Sequence, residues 1–348
     1  MTVAIDVDAC ADGVRQHLER VSRALPGLQY AMTDASETRF AFCGGLADVG
    51  ARRAVEADTL FMAASCTKVL TAAAVLALAD AGRVVLDASL SDYYPDHPYG
   101  REVTVRQLLA HTAGVPNPMP IHWLHRIDDA TFDEDRALAA ALRAHPRLRS
   151  APGERYAYSN LGYWLVGKAI ERASGSRYVR YVEDHLLAPL VLPRAEMCFT
   201  IEDPTRLARG YQRAWSALGV FVRVAVRRPL RDGCDGRWLR FARVYMDGPS
   251  YGGLFATARG FCAFLRSQLA RVPSQTPGWR AGEVANTAYL GKAGGGPGFC
   301  GNVRIYPSVG IATAWFANHM SVSEPKIVAF TDAVDRNWLD GQPRARRV

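Results

Sequence analysis

A chain of 348 residues, 49% hydrophobic and 22% charged, can bury a large core and has the balance of an ordinary globular protein, which excludes a disordered, collagen-like or repeat-built chain. Its formal charge of +8 is concentrated, because Arg213, Arg223, Arg227, Arg228, Arg231, Arg237, Arg240 and Arg243 lie close together. No nucleic-acid module signature accompanies them, so this segment reads first as a solvated basic insertion and second as an attractor for an anionic partner.

Met1 to Asp8 carries acids where a leader peptide has a basic flank, and the longest apolar stretch, Val69 to Ala79, is far short of the roughly 18 residues of a membrane span. Seven cysteines are scattered without a Cys-x-x-Cys pair, which fits reduced thiols and a cytoplasmic location. The eight histidines show no metal spacing, and His122 with His125 lacks a third ligand nearby. Neither metal nor cofactor is expected, no nucleic acid is expected as a partner, and oligomeric state has no signature.

In chain order, Val14, Leu18, Val21 and Leu25 give Val7 to Leu25 helical spacing, ended by Pro26-Gly27. Leu28 to Leu46 then alternates like a hairpin that turns at Asp34 to Glu37. Ser65 to Gly82 is apolar on every side, the mark of a helix enclosed by its neighbours, with Gly82 placed to end it. Residues 100–245 show mainly helical patterns, including Thr104 to His111 and Leu161 to Ala173, punctuated by Pro116, Pro118, Pro120 and Pro152-Gly153. Past Gly252-Gly253, a helix over Thr257 to Leu269 leads to two β-like runs, Asn302 to Tyr306 and Ile311 to Phe316, and a last helix from Lys326 to Leu339. These elements predict an α+β fold in which strands from both chain ends join one antiparallel sheet flanked by helices. Residues 1–64 and 246–348 are expected to form that lobe, with residues 65–245 as an inserted, mostly helical lobe carrying the Arg-rich insertion at about 213–243.

Ser65-Cys66-Thr67-Lys68 places a hydroxyl and an amine three residues apart at a helix start, on one face. Alone, the string reads as a capping serine beside a surface lysine. The helix that follows, however, has almost no polar face on which to solvate Lys68. A buried amine beside another cation gives up its proton near neutral pH and can accept that of Ser65. Cys66 is turned about 100° from Ser65 and reads as a packing group, not as the nucleophile. Taken singly, Tyr158 is a core tyrosine, Asn160 a helix cap and Lys292 a surface lysine.

Taken together, Ser65-x-x-Lys68, Tyr158-Ser159-Asn160 and Lys292-Ala293-Gly294 resemble, in order and spacing, the three motifs of class C β-lactamases, their esterase relatives and D-alanyl peptidases. Leu108 to Gly114 and Gly252 to Ala258 are similar to further family segments, so the resemblance covers nearly the whole chain. It implies a serine hydrolase whose Ser65 is transiently acylated by a small-molecule acyl substrate. Tyr158 would relay protons as phenol or phenolate, Asn160 would hold Lys68 and the substrate, and Lys292 would lower the proton affinity of Tyr158 and Lys68. The backbone N–H groups of Ser65 and Gly295 would form the oxyanion hole, within a glycine run, Gly294 to Gly298, that lets backbone approach a ligand.

Ala293 departs from the family's pattern, which has Thr or Ser there to grip a substrate carboxylate. Its loss removes a charge-assisted hydrogen bond of about 1.5 to 3 kcal/mol. Carboxylic esters therefore rank first, amides or D-amino-acid peptides second and β-lactams third. A catalytically silent ligand-binding or sensor protein of the same fold is the reading from a different class. Two other strings are set aside. Gly248-Pro249-Ser250-Tyr251-Gly252 mimics a nucleophile elbow, but only His319 follows it and Glu283 is its sole acidic candidate. Gly296-x-Gly298-x-x-Gly301 mimics a dinucleotide fingerprint, but a strand pattern follows it where a helix is required.

Overall fold

The structure, a computed structural model, describes residues 7–119, 122–192, 196–269, 277–321 and 323–340. The first residues of the chain, Pro120 and the Arg-rich carboxy-terminal end lie outside them.

Val14 and Leu18, one turn apart, are completely buried and seat the first helix, Val7–Ser22. It ends before Leu25, where the expectation placed its end, because Pro26 disfavours helical backbone in the residue before it; Ala24 and Leu25 close a turn onto Val21 and Ser22 instead. The hairpin follows as strands Gly27–Thr33 and Thr38–Asp48, paired antiparallel with Ala31 opposite Ala41. Its turn is shaped by Asp34, whose carboxylate accepts from the backbone N–H groups of Ser36 (2.7 Å) and Glu37 (2.9 Å).

Gly27–Thr33 is buried along its whole length because it also pairs with the last strand, Ile311–Ala317, with Ala31 opposite Ala314. The two ends of the chain thus meet in one seven-stranded antiparallel sheet. Its order is Arg280–Val284, Thr287–Gly296, Phe299–Tyr306, Ile311–Ala317, Gly27–Thr33, Thr38–Asp48 and Arg53–Ala54. One face packs on the terminal helices Val7–Ser22 and Glu324–Leu339 through Tyr30, Met32, Trp315 and Trp338. The other face packs on the helix Ala258–Leu269 and shares a core with the middle of the chain, from Ala31 and Phe316 to Leu70, Trp164 and Leu254.

In the middle of the chain, the helix Thr67–Asp80 is enclosed as its composition demands, and Gly82 leaves it in left-handed backbone (φ 70°). Thr104 and Gln107 form a capping box on the short helix Val105–Leu109. Ser159 caps the helix Asn160–Ser174 by accepting from the Gly162 N–H.

The Arg-rich segment differs from the helical expectation. Its only α-helix among the described residues is Ala217–Ala225, beside a three-stranded sheet of Tyr211–Arg213, Trp238–Phe241 and Arg231–Asp235. Gly233 and Gly236, both at positive φ, and the aromatic Trp238 and Phe241 are hairpin chemistry that the arginine run obscured. The strand Thr287–Gly296 was likewise not expected, since Gly291, Gly294, Gly295 and Gly296 carry little strand propensity; it forms because both its neighbours hold it.

Candidate active site

Ser65 lies in a tight turn, Ala64–Cys66, that runs directly into the helix Thr67–Asp80. The preceding residue, Ala64, is held in left-handed backbone (φ 46°), a strained state for a residue with a Cβ and one found at functional turns. Lys68 follows within the first helical turn. It is fully buried, and its Nζ lies 3.3 Å from Ser65 Oγ, 2.8 Å from Asn160 Oδ1 and 2.5 Å from the Tyr251 carbonyl oxygen.

Tyr158 comes from the loop leading into the helix Asn160–Ser174. Its hydroxyl is 2.7 Å from Ser65 Oγ and donates to Asn160 Oδ1 at 3.2 Å. Ser159, not Asn160, is the cap of that helix, so the Asn160 side chain is free to face Lys68 and Tyr158. The Asn160 backbone is held by the Asn117 side chain, which accepts its N–H at 3.0 Å.

The Gly-rich strand brings in Lys292, whose buried ammonium group lies 5.1 Å from the centre of the Tyr158 ring. Ser65, Lys68, Tyr158, Asn160 and Lys292, drawn from three distant parts of the chain, therefore meet at one place. Gly294 and Gly295 join them as cavity lining. A Cβ on Gly294 would stand 2.5 Å from the Ala63 carbonyl, so this glycine lets the strand approach the Ser65 turn as well as the cavity.

The electrostatics of the cluster differ in one respect from the expectation. Burial first, and the Lys292 charge second, pull the Lys68 pKa well below its ordinary value. Burial also lowers Lys292, to about 8. Tyr158, however, is raised, because burial outweighs its hydrogen bond to Ser65. These directions favour the phenol form of Tyr158 and bring Lys68 toward its neutral form. A neutral amine has two N–H donors and one lone pair. An amine that has given up its proton here keeps two donors for the oxygens of Asn160 and Tyr251 and has its lone pair within 3.3 Å of Ser65 Oγ.

Residues not singled out as site groups complete the surroundings. His111 lies against the Tyr158 ring (centroids 4.5 Å apart) and accepts the Ser159 N–H at Nδ1. Burial and then Lys292 and Lys68 depress its pKa to about 2, so it adds no charge. Arg280 and Glu324 pair at 3.4 Å on the cavity wall. Only the segment Leu108 to Gly114 pointed toward His111 in the sequence; Asn117 and Arg280 carried no signal.

Cys66 is buried, its thiol donating to the Lys292 carbonyl and pushed up to about 12, which makes it inert packing. Ser250 of the elbow-like string is also buried and donates to the Tyr163 carbonyl. Pro297 and Gly298 form a turn between two strands, so no phosphate-binding helix follows.

Ser65 opens into a cavity of about 870 Å³, and Leu218, Phe221, Val226 and Phe241 of the Arg-rich segment contribute to its apolar lining together with Leu124 and Met246. Among the described residues, no helix is long and apolar enough to cross a membrane, and no group of His, Cys, Asp and Glu is arranged to hold a metal.

The sequence matches the Beta-lactamase family over residues 11–335, and the chain belongs to this family of serine hydrolases. Esterase EstB of Burkholderia gladioli is 31% identical over 299 residues, covering 79% of this chain and 72% of that protein. Protein flp of Staphylococcus aureus (strain MW2) is 30% identical over 175 residues, 48% of this chain but only 34% of its own length, so the match spans about a third of that relative. Among solved structures, D-amino acid amidase from Ochrobactrum anthropi SV3 in complex with D-phenylalanine superposes with a TM-score of 0.75 at 22% identity, covering 95% of this chain and 98% of that one, a likeness of fold.

Proposed function

We propose that this protein hydrolyses carboxylic esters with apolar acyl or alcohol parts through an acyl-enzyme on Ser65. The observation that carries the reading is that Ser65 Oγ is within hydrogen-bond reach of both an amine whose charge is suppressed, Lys68, and a protonated phenol, Tyr158. Neutral Lys68 takes the Ser65 proton as Oγ bonds to the substrate carbonyl carbon, and the ammonium so formed is held by the oxygens of Asn160 and Tyr251. The N–H groups of Ser65 and Gly295 receive the developing oxyanion, a contribution typically of about 2.7 to 4 kcal/mol per donor. Tyr158 delivers its proton to the leaving alkoxide and is reprotonated from the Lys68 ammonium through the hydrogen-bonded cluster. Water then attacks the acyl carbon, the same groups accept its proton, and Ser65 and a carboxylic acid are released.

Preference for esters is supported by Ala293, which offers no hydroxyl to a substrate carboxylate, by the apolar cavity lining, and by the similarity to a protein named an esterase. The test is a panel of chromogenic esters, D- and L-amino-acid amides and a penicillin, run on the wild type and on Ser65→Ala. Esters should be turned over best, and Ser65→Ala should lose on the order of 10⁴- to 10⁶-fold in kcat. Undiminished turnover by folded Ser65→Ala contradicts the mechanism. A folded wild type inert toward every acyl substrate leaves the silent-binder reading.

A further inference from the structure

The helix Ala217–Ala225 is apolar on nearly every side, a composition that belongs to an enclosed helix, yet it is not enclosed. Gly219 and Val222 face inward, while Ala217, Val220, Phe221 and Val224, spaced as one helical stripe, face out. Val224 is 83% exposed, and so is Trp215, two residues before the helix. Of the eight large apolar side chains that are exposed among the described residues, four (Trp215, Val220, Phe221 and Val224) fall in this short stretch. Leu218 and Phe221 of the same helix line the Ser65 cavity, so the exposed stripe is continuous with the wall of the site.

Cations flank the stripe. Arg213 precedes Trp215, Arg223 lies over its indole ring at 4.9 Å, Arg227 and Arg228 follow the helix, and Arg237 joins Arg213 in stacking on Trp238. None of these five forms a salt bridge among the described residues, and only Arg227 feels a nearby carboxylate, that of Asp247, which His125 already engages. The acids of the segment are already engaged, Asp232 by Arg209 and Arg126, and Asp235 by Arg240. A face that is apolar at its centre and positively charged around it matches a surface that is apolar beneath and anionic on top. A second copy of this chain would set arginines against arginines, a like-charge contact that disfavours it. A nucleic acid would give the valines nothing to bury against.

We propose that Trp215 and the helix Ala217–Ala225 dock on an anionic lipid surface, from which single ester-bearing amphiphiles pass Leu218 and Phe221 into the Ser65 cavity. The docking stands on this face alone; the fate of the amphiphile rests on the ester-hydrolase reading.

The experiment separates the two. Full-length Ser65→Ala is sedimented with unilamellar vesicles of phosphatidylglycerol and, in parallel, of phosphatidylcholine. Binding to phosphatidylglycerol should exceed binding to phosphatidylcholine by at least about tenfold and fall with added salt. Adding Val220→Asp and Val224→Asp should weaken it at least about tenfold, and Arg227→Gln with Arg228→Gln about fivefold per arginine. In the Ser65 background, the aspartate pair should leave turnover of a soluble short-chain ester within about twofold, which also verifies folding.

No association with phosphatidylglycerol vesicles, equal association with both lipids, or association unchanged by the aspartate pair overturns the proposal. A dimer that the aspartate pair dissociates, without lipid binding, overturns it in favour of self-association. Vesicle binding by a protein that hydrolyses no ester upholds the docking face while refuting the hydrolase reading.

Discussion

At the scale of single residues, the candidate site holds two buried amines, and burial opposes the charge of each. Lys68 and Lys292 are both buried, and the charge of Lys292 adds to the burial that lowers Lys68. The proposed mechanism has neutral Lys68 as the base, so kcat/KM for a neutral ester should rise as pH increases through its folded-state pKa. Above about 8, where Lys292 sheds its own proton, the help it gives to Lys68 is lost and the profile should level or fall. Replacing Lys292 by Met removes that help at every pH, so the acid limb should move to higher pH; a limb that stays in place shows the two amines to be uncoupled.

Ala293 sets a second expectation. Ala293→Thr restores a hydroxyl on the cavity wall and should raise kcat/KM for carboxylate-bearing substrates, relative to neutral esters, by roughly 10- to 100-fold, the value of one charge-assisted hydrogen bond. An unchanged ratio in a side-by-side assay removes Ala293 from the account of specificity. The residues that converge at the candidate site were legible because their spacing within each motif is local and their types are chemically narrow. The protonation of Tyr158 was not, since it depends on how deeply the phenol is buried, and Asn117 and the Tyr251 carbonyl act through positions that any sequence can supply.

At the scale of elements, the Ser65 turn and the Gly-rich strand are fitted to each other. The strained Ala64 and the absent Cβ of Gly294 allow strand and turn to approach closely. Gly294→Ala would drive a methyl group onto the Ala63 carbonyl. It should cost about 1 to 3 kcal/mol of stability by overpacking and, on the proposed mechanism, lower kcat more than it raises KM by displacing the N–H groups of Ser65 and Gly295 proposed to receive the oxyanion. Thermal melting and steady-state kinetics on the variant check both halves; wild-type kcat in a destabilised protein would separate packing from catalysis.

The sequence revealed the enclosed helix, the terminal helices and the hairpin through periodicity. It hid the Gly-rich strand and the small sheet of the Arg-rich segment. In both, the residues that define the element are glycines and arginines, whose role there is set by neighbours distant in sequence.

At the scale of the whole molecule, the sheet that carries Lys292 is closed by the chain's two ends, and a buried polar network locks the last helix across it. Arg304, fully buried, bonds Asp332 at 2.7 Å and the Tyr306 hydroxyl at 3.1 Å, while Asp335 accepts from Tyr30, Tyr306 and Thr313. Asp335→Ala leaves the Arg304 charge without its buried carboxylate and should destabilise the fold by about 3 to 5 kcal/mol, as judged by denaturant unfolding, with kcat per folded molecule little changed. A loss below 1 kcal/mol would mean that water or Asp332 takes up the charge. The pairing of the first strands with the last was foreseeable from apolar runs at both ends, whereas this network joins residues as far apart as Tyr30 and Asp335 and left no pattern in the sequence.

The proposed mechanism requires that Ser65 be the acylated nucleophile and that neutral Lys68 activate it. The most direct measurement is to treat the protein with a fluorophosphonate at pH 7 and locate the adduct by peptide mass spectrometry, in the wild type and in Lys68→Met. A single adduct on Ser65, formed at least about 10³-fold more slowly without Lys68, is the predicted result. An adduct on any other residue, or labelling of Ser65 at an undiminished rate in Lys68→Met, would contradict it.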